Sequence, residues 1–147
     1  MKITQALLAE HAVFHNLFDY VERAAPKLKT LAEVKSLAGL LGAMLDAHSQ
    51  VEDELIIAPL EHCFEQLGQC ETFHQEHEEI DHNLKLAQTT RQLKAGRKFL
   101  VAAVLASRRH FDKEERVVFP MADKLLKNKN LLALGKTWLK RRSAITA

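Results

Sequence analysis

Four segments of this sequence have an apolar stripe at helical spacing, and each stripe is interrupted by one histidine. The apolar residues recur at intervals of three and four, the period of an amphipathic α-helix. The interrupting residues are His11, His48, His77 and His110. Four such stripes can be buried together if the helices pack side by side with short connections. The pattern therefore predicts an all-α fold, an up-down-up-down four-helix bundle.

Capping and stop signals predict a first helix from the Thr4 cap to about residue 24, and further helices at about 31–67, 71–93 and 97–126. Thr4 is the expected cap of the first helix, Gly68 is expected to stop the second, and Gly96 is expected to mark the turn before the fourth. A proline follows His48 after eleven residues and His110 after ten. This difference predicts a bulge or an early helix end near Ala58.

A short amphipathic helix, LLALGKTWLKRR, is expected at about 130–142, after a bundle spanning about 3–127. Its many leucines and Trp138 favour a role in covering one end of the bundle. The alternative is that the same surface joins two copies of the chain, so the protein is expected to be a monomer or a homodimer through this helix.

Composition narrows the classes of protein. With 147 residues and 47% hydrophobic content, the whole chain, 1–147, can form one domain without disulfides, so Cys63 and Cys70 are expected to be free thiols. A net charge of +2 is too small to indicate nucleic-acid binding. No apolar run approaches the ~20 residues of a membrane span. Because the sequence MKITQALLAEH lacks a signal-peptide pattern, we expect a cytoplasmic protein.

Every stripe histidine has a possible metal ligand four residues later, and i and i+4 share a helix face. These partners are His15, Glu52, Asp81 and Glu114. His48 and His110 are 62 residues apart, and so are Glu52 and Glu114. Burial of two carboxylates needs compensation, which metal cations bound by imidazole and carboxylate would supply. The alternative is a bundle with a polar network and no metal.

Four segments resemble the signature segments of hemerythrin-like domains, the HHE cation-binding group. They are LLAEHAVFHNLFDYVE, HSQVEDELIIAPLE, EHEEIDHNL and HFDKEERVVFPMADKLL. The resemblance implies a non-haem centre of two iron ions, joined by an oxo or hydroxo bridge, with zinc as the alternative metal. The ligands it implies are His11, His48, Glu52, His77, His110 and Glu114, with both glutamates bridging the irons.

The third helix departs from the pattern of oxygen-carrying hemerythrins, which have a second histidine four residues from the first. Here the residues at that spacing from His77 are Phe73 and Asp81. His15 is our candidate for the missing imidazole, as a ligand or a pocket residue. His74 is the rival, although it lies away from the stripe, and Asp81 is a third possibility.

The resemblance implies that dioxygen, nitric oxide or peroxide binds at the irons, for reversible binding or sensing. An enzyme is the alternative: a peroxide-decomposing protein, an oxidase or an iron–sulfur repair protein. Related repair proteins carry a cysteine-bearing segment before the first helix, and this sequence begins in that helix, which disfavours repair. A third alternative is an interaction bundle that holds zinc or no metal.

Overall fold

The protein forms a bundle of helices in a computed structural model, which describes the backbone of residues 1–67 and 70–145 and the side chains of 1–63 and 73–144. The helices are α1 (Ile3–Ala24), α2 (Leu31–Glu52), α3 (Ala58–Leu67), α4 (Cys70–Thr89), α5 (Leu93–Lys113), α6 (Phe119–Leu125) and α7 (Asn128–Ile145). Helices α1, α2, α4 and α5 pack together, with α5 between α1 and α4 and with α4 also against α2. The predicted all-α bundle is confirmed.

The N-terminus of α1 differs from the prediction that Thr4 caps it. The helix begins at Ile3 with Lys2 as its N-cap, and the Gln5 side chain accepts a hydrogen bond from the Lys2 backbone N–H at 3.0 Å. Thr4 is buried inside the first turn and donates its hydroxyl to Asp123 at 2.8 Å. The Thr4 hydroxyl therefore makes a tertiary contact with α6 instead of capping its own helix.

Gly96 does not mark a turn. It is buried inside α5, which begins at Leu93. A side-chain Cβ at this glycine would lie 3.0 Å from Cγ1 of Val34 on α2. The glycine therefore permits close approach of two helices, while the connection between α4 and α5 falls at residues 90–92. The predicted stop at Gly68 lies outside the described residues.

Each of the two helices that carry a His-x-x-x-Glu segment is interrupted by one π-helical turn. The turns span Asp53–Ile57 and Glu114–Val118. A bulge was predicted only in the second predicted helix and near Ala58, and it in fact occurs earlier and has a twin. In both cases a proline is the second residue of the following helix, where its missing N–H costs least.

The π-turn after Glu114 shifts the buried face of the chain by one residue. Helical spacing continued from His110 predicts Val117 and Met121 on the buried face of the fourth predicted helix. Instead, Val118 and Ala122 are fully buried, Met121 is partly buried and Val117 is exposed. A π-turn contains one more residue than an α-turn, so positions beyond it rotate relative to an uninterrupted helix.

The core has two apolar clusters, and the stripe histidines lie between them along the chain. One cluster includes Phe14, Leu45, Ile80 and Phe111, and the other includes Leu7, Val51, Phe73 and Val118. Each histidine therefore has a residue of each cluster within eight positions along the chain. The layer between the clusters is where the buried polar groups collect.

Helix α7 packs along α1 rather than projecting from the bundle. Leu131 is buried and Leu134 and Trp138 pack against the second cluster, while Leu132 and Leu139 remain exposed. The predicted covering role thus describes one face of this helix, and the homodimer stays a prediction. Within the described parts of the chain, no helix has the length and apolar character needed to span a membrane.

Candidate metal centre

Four imidazole rings meet in the polar layer. The Nε2 atoms of His11 and His48 lie 3.2 Å apart, and those of His77 and His110 lie 2.8 Å apart. His11, His48 and His110 are buried, with at most 2% of each residue exposed. Since their side chains come from α1, α2, α4 and α5, all four long helices contribute to one centre.

Two buried carboxylates lie among these rings. Glu52 Oε2 is 3.2 Å from His48 Nε2, and Glu114 Oε1 is 3.2 Å from His110 Nε2. His11 Nε2 is 3.8 Å from Glu114 Oε1 and 4.0 Å from Glu52 Oε2. The i, i+4 spacing thus places each glutamate beside its own histidine and within reach of a second helix.

The donor atoms form two overlapping groups that could each hold a metal ion. One nitrogen or oxygen from each member lies within 4.8 Å of the others in the group His11, His48, Glu52 and Glu114, and likewise in the group Glu52, His77 and His110. Glu52 belongs to both groups, as a bridging carboxylate would. We call the first group position 1 and the second position 2.

Carboxylates outside these groups hold the opposite nitrogen of three rings. His11 Nδ1–H donates to Glu115 at 3.0 Å, and His48 Nδ1–H donates to Glu10 at 3.2 Å. His110 Nδ1–H donates to Glu76 at 2.6 Å. Such bonds fix the tautomer that leaves Nε2 free to bind a metal, and they are typical of metal-binding histidines.

The residues present fit a pair of cations. Three buried carboxylate oxygens, Glu52 Oε2 and both oxygens of Glu114, lack a hydrogen-bond donor within the described structure. Orphaned buried acceptors are costly, and a cation satisfies them directly. Neutral imidazole and carboxylate oxygen are ligands that suit iron, zinc or manganese.

Without a cation, the buried groups compete for protons. Burial and the negative charge of Glu52 raise the pKa of Glu114 well above its ordinary value. Burial lowers the pKa of His48, but its hydrogen bond to Glu10 and the nearby carboxylate of Glu52 outweigh burial and raise this pKa to about 9. Burial and the neighbouring His48 lower the pKa of His11 to about 4. Metal binding would therefore displace protons from this layer.

A cavity of about 220 Å³ opens on position 2. His77, His110 and Phe111 form part of its wall, together with Leu45, Asp46, Ser49, Gln50, Asp53, Ile80 and Asp81. The three aspartates are exposed, while His110 is buried, so the cavity leads from the surface to the polar layer. Burial, followed by the charge of Asp46, raises the pKa of Asp81.

The three candidates for the ligand in place of the missing fifth imidazole lie outside both groups. His15 is partly exposed, and its Nε2–H donates to Glu115 Oε1 at 3.0 Å, the same oxygen that accepts from His11. His74 is exposed, and Asp81 lies in the cavity wall. Which of them acts as a ligand stays a prediction. His15 is linked to the centre through the Glu115 carboxylate that it shares with His11.

Sequence reasoning missed the roles of Glu10 and Glu76. Each directly precedes a stripe histidine, as in the pairs Glu10-His11 and Glu76-His77. Each nevertheless binds the histidine of the neighbouring helix. The signal was an acid before each lone histidine, but its partner depends on how the helices lie side by side.

Fold and centre together define an all-α bundle with a buried His/Glu cluster that could hold metal. A family model described as the Hemerythrin HHE cation binding domain matches residues 2–122. The chain therefore belongs to this family, as its signature segments indicated. Comparisons with curated proteins and with solved structures gave no match.

Proposed function

We propose that this protein is a non-haem di-iron protein that binds or senses a small ligand, such as dioxygen, nitric oxide or peroxide, in the bundle core. The observation that carries the proposal is the pair of overlapping donor groups that share Glu52, one of which faces a cavity. When bound there, two irons would supply the electrons that these ligands accept.

The protein's own residues have distinct tasks in this proposal. The four Nε2 atoms would bind the metals, Glu52 and Glu114 would bridge them, and Glu10, Glu76 and Glu115 would orient the rings. The apolar clusters on either side exclude water from the layer. A centre shielded by apolar residues, with the cavity as the approach route within the described residues, favours binding of a small molecule.

Position 2 is the expected point of ligand entry. Its histidines His77 and His110 line the cavity. At position 1, His11 is fully buried, and its ring stacks on Phe111 with centroids 3.8 Å apart. A diatomic molecule needs little volume, and the cavity is large enough to hold one beside the imidazoles.

The test is to load the purified protein with ferrous iron under anaerobic conditions and then to admit dioxygen or nitric oxide. We expect about two irons per chain and a change in visible absorption on ligand addition. A protein that takes up less than one iron per chain, or whose loaded spectrum ignores both ligands, contradicts the proposal. The matched control is Glu54→Gln, which alters an exposed carboxylate two residues from Glu52.

Turnover separates a binding protein from an enzyme. Excess hydrogen peroxide is added to the iron-loaded protein, and its disappearance is followed together with the absorption of the centre. Stoichiometric change followed by a stable spectrum supports binding or sensing. Sustained peroxide loss that disappears in Glu52→Ala would assign an enzymatic activity to the same centre. Selective uptake of zinc would contradict a redox function of the protein.

A further inference from the structure

Helix α7 lies beyond the residues that the family model matches, 2–122, yet it reaches the outer surface of the metal centre. Trp138 Nε1–H donates to Glu10 Oε2 at 2.7 Å. Arg142 donates to the same carboxylate through Nη2 at 2.6 Å and through Nε at 3.2 Å. The same carboxylate also accepts His48 Nδ1–H, at 3.2 Å and through Oε1, the oxygen that Arg142 Nη2 approaches most closely.

Arg142 also contacts the helix that carries His48. Its Nη2 donates to the backbone carbonyl of Ala47 at 3.3 Å, while it pairs with Glu10 on α1. One guanidinium therefore joins α1, α2 and α7 within one residue of a predicted ligand. A fork of donors fixes a carboxylate in both position and orientation, which a single ammonium does not.

We propose that Trp138 and Arg142 are positioning residues for the metal centre, which act through Glu10 on His48 and so set the properties of position 1. This inference rests on the proposed metal site. Glu10 would hold the His48 ring at the angle its Nε2 needs, and the α7 donors would hold Glu10. The extra helix is then part of the centre and not merely a cover for apolar surface.

The helix pair α4–α5, which carries Glu76 and His110, supplies an internal reference. Glu76 holds His110 in the same manner, but the donor on its other side is Lys113, at 3.2 Å and on the same helix as His110. No residue of α7 is among the described partners of Glu76. Changes in α7 should therefore act on one position and spare the other.

The variants are Trp138→Phe, which removes only the indole donor, and Arg142→Gln, with Arg142→Lys as the conservative form. Lys140→Gln is the matched control, since it removes one charge from an exposed site of the same helix. Leu134→Ala is a second control that weakens packing of α7 without altering a donor to Glu10. Folding is checked by circular dichroism and thermal unfolding.

The readout is stepwise titration of the metal-free protein with cobalt(II), followed by its visible absorption. We expect Arg142→Gln to weaken one of two binding steps about tenfold, the size of typical losses when a group behind a ligand is removed. The other step should be unchanged, Trp138→Phe should act in the same direction, and Arg142→Lys should recover part of the loss.

A double-mutant cycle with Glu10→Ala tests the route. If Arg142 acts through Glu10, Arg142→Gln has little further effect on the weakened step in the Glu10→Ala background. Equal weakening of both steps, an additive effect in that background, or lower thermal stability with unchanged affinities would each overturn the inference. If the wild-type chain shows no cobalt binding at all, the proposed metal site fails instead.

Discussion

The helix pairs α1–α2 and α4–α5 form the two halves of the bundle. They carry nearly the same potential ligands, but the surroundings of these residues differ. In sequence, 66 residues separate His11 from His77 and also Glu10 from Glu76, while 62 separate the two His-x-x-x-Glu segments. In space, position 1 is closed by the stacked Phe111 ring and by the α7 contacts to Glu10. Position 2 faces a cavity whose rim carries aspartates.

This difference shows that the ligand pattern determines where a cation can bind. The surrounding residues determine whether a small molecule can reach that cation. The residues that correspond across the repeat at a spacing of 66 are His15 and Asp81. His15 bonds to Glu115 beside position 1, and Asp81 lines the cavity beside position 2. The comparison predicts a saturated, buried position and an open one.

The largest expected effect comes from removing a glutamate that is proposed to bridge the two positions. In Glu52→Ala or Glu114→Ala, both cations should be lost. Glu52 belongs to both donor groups, and Glu114 lies beside His11 of position 1 and His110 of position 2. We expect affinity to fall by more than about 100-fold, beyond the usual loss for a residue behind a ligand. Metal analysis after gel filtration measures it, with Glu54→Gln as control. Retention of a full complement of metal would mean that neither glutamate bridges.

Removing one histidine from each half should separate the two positions. His110→Ala is expected to leave about one cation per chain and to abolish the absorption change with nitric oxide, since position 2 faces the cavity. His48→Ala should also leave about one cation but keep a response to the ligand. Metal content and ligand titration on the same samples decide this. The reverse pattern would place the open coordination site at position 1.

The carboxylate behind His110 gives a smaller effect of the same kind. Glu76→Gln keeps the shape of the side chain but weakens the acceptor for His110 Nδ1–H. We expect a loss of about tenfold in cation affinity at one position, the one that Arg142→Gln leaves unchanged. Cobalt titration of both variants tests this, and a loss on the same step in both would contradict the separation of the halves.

The smallest expected effect concerns charge at the cavity. Asp46→Asn together with Asp81→Asn removes two negative charges from the rim. At ~8 Å in water each repels an anion by roughly 0.5 kcal/mol, so azide should bind about fivefold faster to the variant at low salt. Stopped-flow absorption measures this rate. Binding of neutral nitric oxide is the control, and 1 M salt should remove the difference. An unchanged azide rate would mean that anions enter by another path.

Much of the fold was predictable because apolar periodicity reports which face of a helix is buried. Ile3, Leu7, Phe14, Phe18 and Val21 are all in the core, as the first stripe requires. The periodicity failed after Glu114, because a π-turn shifts the phase without altering the composition of the segment. Gly96 misled for a similar reason: a glycine signals a turn or a close helix contact equally well in sequence.

The centre was predictable to the extent that it depends on spacing along one helix. His48 with Glu52 and His110 with Glu114 follow from the i, i+4 rule. The partners of Glu10 and Glu76 did not follow, because a bond between neighbouring helices depends on their lateral offset. Which imidazoles face open space also depends on packing, so the cavity beside His77 had no signature in the sequence.

The sequence by itself determined an all-α bundle, its family and the layer in which histidines and glutamates would collect. These properties come from periodicity, which a chain carries locally. Tertiary structure alone decided that Glu10 joins His48 to Trp138 and Arg142, and that one of two similar positions is open. The physical reason is that side chains more than a hundred residues apart in sequence meet only after the helices have packed, as Glu10 and Arg142 do.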